Sequence, residues 1–305
     1  MKLVLLFGLC LLAPRSGLPQ VPAGTVSGVV RDQAGAAIAG VEVHVRSAVS
    51  SCGFDMNTVS GLAVLLVLAA QTAPLNSARV PVLVELFTSE GCSSCPAADA
   101  HLARLQREQP VAGAEVIPIA LHVDYFDHAG WKDAFSSPAF SDRQQEYSRI
   151  FGANSVYTPQ VVVNGRDAVV GTENALVEQA IASAARRPPM ALNVMAHQTG
   201  DRLQLQITAP AAPRDGEAIA ILAAITQDGL SSNVTRGENS GRQLHHVAVA
   251  RALERIAVLG RNARAIRHSI PIRDAWGGSG LKAVVWLQGR KSGQVYGASV
   301  EAVGN

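Results

Sequence analysis

The stretch that decides the fold runs from residue 82 to residue 96 and reads VLVELFTSEGCSSCP. Its first six residues, 82–87, are mostly apolar, which is typical of a short strand buried on both faces of a sheet. A polar tetrapeptide then ends the strand. The residues that follow, Ala97 to Gln106, carry apolar side chains at helical spacing. The sequence therefore predicts that Cys92 and Cys95 lie where a central strand passes into the N-terminus of a helix.

This position predicts reactive sulfur chemistry. A thiolate at a helix N-terminus faces unsatisfied backbone N–H groups and the positive end of the helix dipole, and both favour the anion. Since the thiolate is the nucleophile, a lowered pKa makes the first cysteine reactive near neutral pH. The second cysteine follows after one helical turn. We therefore expect Cys92 to be the attacking sulfur and Cys95 the resolving sulfur, and we assign both as catalytic residues.

Two other interpretations of the cysteine pair stay open at this stage. Zinc sites share the Cys-x-x-Cys spacing, but a structural zinc site needs a second pair of ligands and the chain has no other such cysteine pair. A metal held by Cys92, Cys95 and a histidine such as His122 is one alternative. A structural disulfide without redox turnover is the other.

Further candidate residues follow the next predicted strand, Val116–Val123. The polar and aromatic cluster after it spans residues 124–133. In an open α/β sheet, functional groups gather beyond the carboxyl ends of the strands, so this loop is expected on the same edge as the dithiol. We assign Asp124, Tyr125 and Trp131 to substrate binding, with a surface loop carrying an aromatic plug as the alternative.

Further helices and strands are predicted between residues 135 and 185. Residues 135–151 predict an inserted helix, Pro159 stands at the start of a valine strand, and Asn164-Gly165 predicts a hairpin turn. A partner strand at 168–170 and a closing helix at 174–185 follow. The order of strand, dithiol helix, strand, helix, Thr-Pro strand, hairpin and helix is that of a thioredoxin fold.

Several motifs resemble those of the secreted thioredoxin-like family named domain of unknown function 1223. They are ELFTSEGCSSCP at 85–96, Asp124-Tyr125, GWKD at 130–133, YTPQ at 157–160 and GENSGR at 237–242. The resemblance covers about residues 80–305. It implies an exported protein with a thioredoxin-like domain and a β-rich C-terminal part, and it implies no established substrate.

The same resemblance implies roles for two residues of the Thr-Pro strand. Pro159 is expected to be a cis proline opposite the dithiol, and Thr158 is expected to offer backbone groups to a peptide-like substrate. The sequence departs from ordinary thioredoxins at Gly91, where tryptophan is usual, at the Ser93-Ser94 linker, and in about twenty extra residues before the Thr-Pro strand. Because of these departures, the resemblance to ordinary thioredoxins does not fix the redox potential of the dithiol or its class of substrate.

Domain boundaries follow from composition. Arg186-Arg187-Pro188-Pro189 cannot continue a helix and predicts a boundary between a thioredoxin-like domain at 79–187 and a β-rich domain at 190–305. The second region contains regular strand-like runs with few helical stretches. The predicted fold class is an α/β thioredoxin-like domain followed by an antiparallel β-sandwich-like domain.

Residues 1–78 have the sequence patterns of leader segments. Residues 1–20 have the charged start, short apolar run and breakers of a signal peptide, and residues 56–78 have a second short apolar run followed by small residues, as before a signal cleavage site. Residues 21–55 predict a truncated β-hairpin or fusion leader, in which 24–46 resembles a fragment of a carboxypeptidase-regulatory-like module. We expect the functional protein to begin near residue 56 or just after residue 78.

Composition narrows the class of function. The 305 residues are 48% hydrophobic, which excludes a mainly disordered chain. The 26 Lys and Arg against 24 Asp and Glu give a net charge of +2, without the basic excess typical of nucleic-acid binders.

The sequence predicts a periplasmic or secreted protein that is a possible thiol–disulfide oxidoreductase. Its expected partner is a protein or small-molecule thiol or disulfide, with no cofactor, metal, nucleic acid or stable membrane span after signal removal. The alternative is a non-catalytic binding module whose dithiol holds a metal ion or is a structural bridge.

Overall fold

The computed structural model describes residues 79–214, 216–277 and 279–304. The predictions for residues 1–20, 21–55 and 56–78 lie outside the described residues. The described residues contain three α-helices: α1 (Cys95–Glu108), α2 (Pro138–Phe151) and α3 (Asn174–Ala184). The strands in chain order are β1 (Val80–Thr88), β2 (Ala114–His122), β3 (Gln160–Val163), β4 (Asp167–Val170), β5 (Asn193–Thr199), β6 (Arg202–Ala209), β7 (Ile219–Gln227), β8 (Leu230–Asn233), β9 (Gln243–His246), β10 (Val249–Val258), β11 (Arg264–Pro271), β12 (Leu281–Gly289) and β13 (Val295–Ala302). The described chain is thus mostly β.

The main element is a mixed sheet of eight strands in the order β13-β12-β7-β10-β2-β1-β3-β4. Strand β1 lies beside β2 in parallel, from Val80 opposite Ala114 to Thr88 opposite His122, and pairs antiparallel with β3 on its other side. The side chains of β1 from Val82 to Thr88 are buried on both faces of the sheet, as its apolar sequence predicts. The residues after β1 and after β2 therefore meet at one edge of the sheet.

Helices cover both faces of the sheet around β1. On one face, apolar residues of α1 and α3 such as Leu102 and Ile181 pack against Val84. On the other face, Phe140 and Tyr147 of α2 pack against Phe87 and against Trp286 of β12. Successive residues of a strand point to opposite faces, so β1 supplies side chains to both layers.

The C-terminal strands differ from the predicted separate sandwich. Strands β7, β10, β12 and β13 continue the main sheet, because β10 joins the edge of β2 through the pairing of Val249 with Ala120. The remaining sheet, β11-β6-β5, packs through Leu205 and Ile270 on β7 and β12, which gives this region two β-layers. Strands β8 and β9 form a separate two-stranded sheet. The proposed boundary at Arg187 stays a prediction.

None of the helices within the described ranges is long and apolar enough to cross a membrane.

Candidate functional site

The two cysteines lie at the turn between β1 and α1. They form a disulfide with a Cα–Cα distance of 5.4 Å, and Cys95 is the first residue of α1. The Cys95 N–H donates to the Cys92 carbonyl at 3.2 Å. Cys92 is 3% exposed and Cys95 is fully buried, whereas Ser93 and Ser94 are exposed. The two serines therefore form the outer surface of the dithiol turn.

Pro159 packs against the helix that carries the dithiol. The Thr158–Pro159 peptide bond is cis, and the proline is buried. A β-carbon placed on Gly171 would lie 2.9 Å from Pro159 Cβ and 3.1 Å from Ala98 Cβ, so the absence of a side chain at Gly171 lets the proline loop approach the first turn of α1. The Gly171 N–H also donates to the Pro159 carbonyl at 2.8 Å.

A buried glutamine connects the proline loop to the loop after β2. The Tyr125 hydroxyl donates to Gln144 Oε1 at 2.9 Å, and Gln144 Nε2 donates to the Tyr157 carbonyl at 2.7 Å and to Gln160 Oε1 at 2.9 Å. Gln144 is fully buried, whereas Tyr125 and Tyr157 are 38% and 37% exposed. The two tyrosines are thus held as exposed aromatic surface on either side of Gln144.

Asp124 and Trp131 are both bonded within the protein. The Asp124 carboxylate accepts from the hydroxyl of Ser141 on α2. The Trp131 indole N–H donates to Glu90 Oε2 at 2.7 Å, two residues before Cys92. Trp131 therefore positions the segment that leads into the dithiol turn, and Asp124 anchors the loop after β2 to α2.

Behind the dithiol turn lies a cluster of buried ionisable side chains. Glu90 is 1% exposed, and its Oε1 lies 3.1 Å from Nε2 of His246. The Glu90 N–H donates to Asp133 Oδ2 at 2.9 Å, and that oxygen lies 2.7 Å from Nδ1 of His122. The two imidazole rings cross edge to face with centroids 4.9 Å apart. Two carboxylates and two histidines therefore form one buried cluster where β1, β2 and β9 end.

Within this cluster, His122 and Asp133 shift the pKa of each other. Burial opposes a charge on both His122 and Asp133, but their attraction and hydrogen bond outweigh it. The pKa of His122 is consequently raised and that of Asp133 is lowered. Asp99, on α1, behaves differently: the residue is partly exposed, but its carboxyl lies among buried groups, and burial raises its pKa although His122 and His246 oppose this.

The cluster also contains polar atoms without a protein partner. His122 Nε2, His246 Nδ1 and Thr88 Oγ1 are buried and unbonded among the described residues. Throughout residues 79–214, 216–277 and 279–304, no group of three or more His, Cys, Asp or Glu side chains is arranged to hold a metal ion. In this arrangement His122 pairs with Asp133, which is a different environment from the Cys92–Cys95–His122 metal site considered from the sequence.

A loop from the C-terminal part of the chain reaches the dithiol turn. The buried side chain of Asn239 donates through Nδ2 to the carbonyls of Glu90 and Cys92, both at 2.9 Å. Its neighbour Glu238 accepts from the Ser93 N–H at 2.9 Å. The glycine-flanked motif at 237–242 thus belongs to the same site as the cysteines.

Comparison with known proteins gives a family but no activity. The family described as "Protein of unknown function (DUF1223)" matches residues 83–288. A crystal structure of a protein from Agrobacterium tumefaciens is similar at 26% identity, with a TM-score of 0.58 over 74% of this chain and 96% of that one. HBP35 of Porphyromonas gingivalis is similar at 12% identity, with a TM-score of 0.55 over 74% and 76% of the two chains. No curated protein matches the chain.

Proposed function

Because the chain belongs to the DUF1223 family, whose description assigns no function, we propose from the geometry of its own residues that it is a thioredoxin-like thiol–disulfide oxidoreductase. The observation that carries this proposal is the disulfide between Cys92 and Cys95 at the start of α1, directly after the central strand β1. A dithiol at a helix N-terminus is the arrangement that lowers a thiol pKa. The buried Pro159, packed near the same helix turn, adds support.

The topology around β1 supports the thioredoxin-like part of the proposal. Strands β2, β1, β3 and β4 are neighbours in that order, with β2 parallel to β1 and β3 antiparallel to it. Helices α1 and α3 pack on one face and α2 on the other. This is the element order that the sequence predicts for a thioredoxin fold, here with four further strands on the β2 edge.

The proposed reaction exchanges one disulfide for another. In the reduced protein, the Cys92 thiolate attacks a substrate disulfide and forms a mixed disulfide, while the other substrate sulfur leaves as a thiolate and takes a proton from solvent. Cys95 then loses its proton and attacks the Cys92 sulfur, which releases the second substrate sulfur. The substrate disulfide gains two electrons, and the cysteine pair loses two and closes as the disulfide seen here.

Asp99 is placed to take part in the second step as a proton acceptor. It follows Cys95 by four residues on α1, so the two side chains lie on the same helix face. Burial raises the pKa of its carboxyl, which brings the acid closer to the pKa of a thiol.

The substrate-facing surface in this proposal surrounds the exposed serines of the dithiol turn. Thr158 and Pro159 present the backbone of the cis-proline loop to an extended thiol-containing chain, and Tyr125 offers an exposed ring beside it. Asp124 and Trp131, both partly exposed, also belong to this proposed surface, and their bonds to Ser141 and Glu90 hold the flanking loops in place. A protein or small-molecule disulfide is the substrate class that fits this surface.

Export is part of the same proposal. The signal-like sequences at 1–20 and 56–78 support a periplasmic or secreted location. A cysteine pair that closes as a disulfide is also consistent with an oxidising compartment.

The test of the proposed function is the thiol pKa of Cys92. We expect the reduced protein to show a Cys92 pKa below the free-thiol value of about 8.5, since the helix N-terminus favours the anion. The measurement is the rate of alkylation by iodoacetamide as a function of pH, with the modified residue identified by mass spectrometry. A Cys92 pKa at or above the free-thiol value would contradict the proposal.

A further inference from the structure

The dithiol turn is held from outside by a loop that the chain supplies 145 residues later. Asn239 is fully buried and bridges the carbonyls of Glu90 and Cys92, and Arg242 donates to Asn239 Oδ1 at 3.1 Å. The loop is closed by the bond from the Gly241 N–H to the Val234 carbonyl at 2.8 Å. The position of the residue next to Asn239 is therefore fixed relative to the cysteines.

That neighbour places a negative charge on the dithiol turn. The Glu238 side chain is solvent-exposed, and its Oε2 accepts from the Ser93 N–H at 2.9 Å. Hydrogen bonds from Ser93 lower the pKa of Glu238, so the carboxylate is ionised at neutral pH. Because Ser93 directly follows Cys92, covalent geometry keeps this oxygen within about 7 Å of the Cys92 sulfur.

We propose that the Glu238 carboxylate disfavours the Cys92 thiolate and thereby shifts the cysteine pair toward the disulfide, as a residue that sets the redox poise of the site. The inference rests on the proposed exchange function. Its physical basis is that a carboxylate repels a nearby thiolate and also occupies the Ser93 N–H, a backbone donor adjacent to that thiolate. Glu238 thus acts against the helix N-terminus, which favours the same anion.

Several of the other charged groups around the turn bond to partners other than the cysteines. Glu90 binds Trp131 and His246, and Asp133 pairs with His122. Asp99 has a raised pKa and lies behind the turn on α1. The same loop carries two cations: Arg242 donates to Asn239 Oδ1, and Arg236 is exposed. Glu238 is the carboxylate that bonds directly to the segment between the two cysteines.

Reduction by dithiothreitol breaks the Cys92–Cys95 bond with two electrons, and the two thiols of dithiothreitol close into a disulfide. One of their protons goes to Cys95, and the other goes to Cys92 or, when Cys92 is a thiolate, to solvent. Any group that raises the free energy of the thiolate makes the cysteine pair harder to reduce.

The experiment compares reduced wild-type protein with Glu238→Gln by alkylation of Cys92 as a function of pH. We expect the Cys92 pKa to fall by about half a unit in the variant, which is a small shift because Glu238 is exposed and screened by salt. The equilibrium constant for reduction by glutathione is expected to rise by about threefold. An unchanged or higher pKa in Glu238→Gln would overturn the inference.

Two further variants separate charge from other causes. Glu115→Gln removes an exposed carboxylate at the far end of β2, and we expect no change of the Cys92 pKa. Asn239→Ala loosens the turn without removing a charge. An equal fall of the pKa in either variant would contradict the role of the Glu238 charge. Failure of this inference can be told apart from failure of the proposed function, because alkylation reports the pKa of the Cys92 thiol even if the protein turns over no substrate.

Discussion

Cys95→Ser protein, reduced and mixed with a disulfide substrate such as oxidised glutathione, is expected to accumulate a mixed disulfide on Cys92. In this variant the Cys92 thiolate still attacks, but no second sulfur is present to release the substrate. Cys92→Ser protein is expected to form almost no adduct on Cys95, because that sulfur is fully buried at the first residue of α1. Peptide mapping assigns each adduct to its residue, since the sequence also contains Cys10 and Cys52. Turnover of an insulin-type substrate is expected to be lost in both variants.

The readout is intact-mass spectrometry after an acid quench, with circular dichroism to show that both variants are folded. The two variants are matched controls for each other, since each removes one sulfur and the same disulfide. Equal adduct on both variants, or adduct on Cys92→Ser alone, would contradict the assignment of Cys92 as the attacking sulfur. Loss of folding in both would instead identify the pair as a structural bridge.

The second large effect concerns a buried ion pair beneath β1. Arg143 of α2 binds the Glu85 carboxylate through Nε and through Nη2, the latter at 2.9 Å, and both residues are at most 5% exposed. Tyr147 and Gln288 complete the cluster, with the Tyr147 hydroxyl 2.5 Å from Glu85 Oε2 and Gln288 Oε1 3.2 Å from Arg143. The Arg143 guanidinium also lies over the Trp286 ring at 5.1 Å.

Arg143→Met is expected to lower the free energy of unfolding by about 3–5 kcal/mol, because it leaves the Glu85 carboxylate buried without its cation. The measurement is equilibrium unfolding in urea. Arg255→Met is the control: that arginine is half exposed and lies 3.6 Å from Glu146, so its loss is expected to cost less than about 1 kcal/mol. Similar losses for the two variants would contradict the view that this cluster joins α2, β1 and β12.

The local part of the fold and site can be predicted from the sequence because its signals are local. The apolar run before Cys92 and the helical spacing after Cys95 predict β1 and α1 to within a few residues. Likewise, Pro159 before a valine run predicts the start of β3. In each case, periodicity and a breaker residue lie within one short window.

The sequence does not show which distant segments pair. Strand β10 joins the edge of β2 where Val249 pairs with Ala120 and the Ala120 N–H donates to the Ala248 carbonyl at 2.8 Å, and no local pattern encodes this pairing. The contacts of Glu238 and Asn239 with the dithiol turn span about 145 residues or more. The polar loop that contains them was visible as a glycine-flanked motif, but its target was not.

The buried charge cluster was missed for a related reason. Glu90 looks like part of an ordinary strand-ending turn, and His246 like a strand histidine, whereas in the structure they bond to each other behind the dithiol. The alternation of exposed His245 and buried His246 on β9 is the expected result of strand geometry. Only the approach of β9 to the end of β1 gives His246 its partner, Glu90.

The reduction potential of the Cys92–Cys95 pair, measured by equilibration with glutathione and followed by alkylation and mass spectrometry, tests the central claim most directly. An exchange-active dithiol is expected to lie between about −270 and −120 mV, the range of catalytic pairs. A value below about −300 mV is typical of a structural disulfide that the glutathione pool does not reduce. Such a value would contradict the account and favour a bridge that only stabilises the turn.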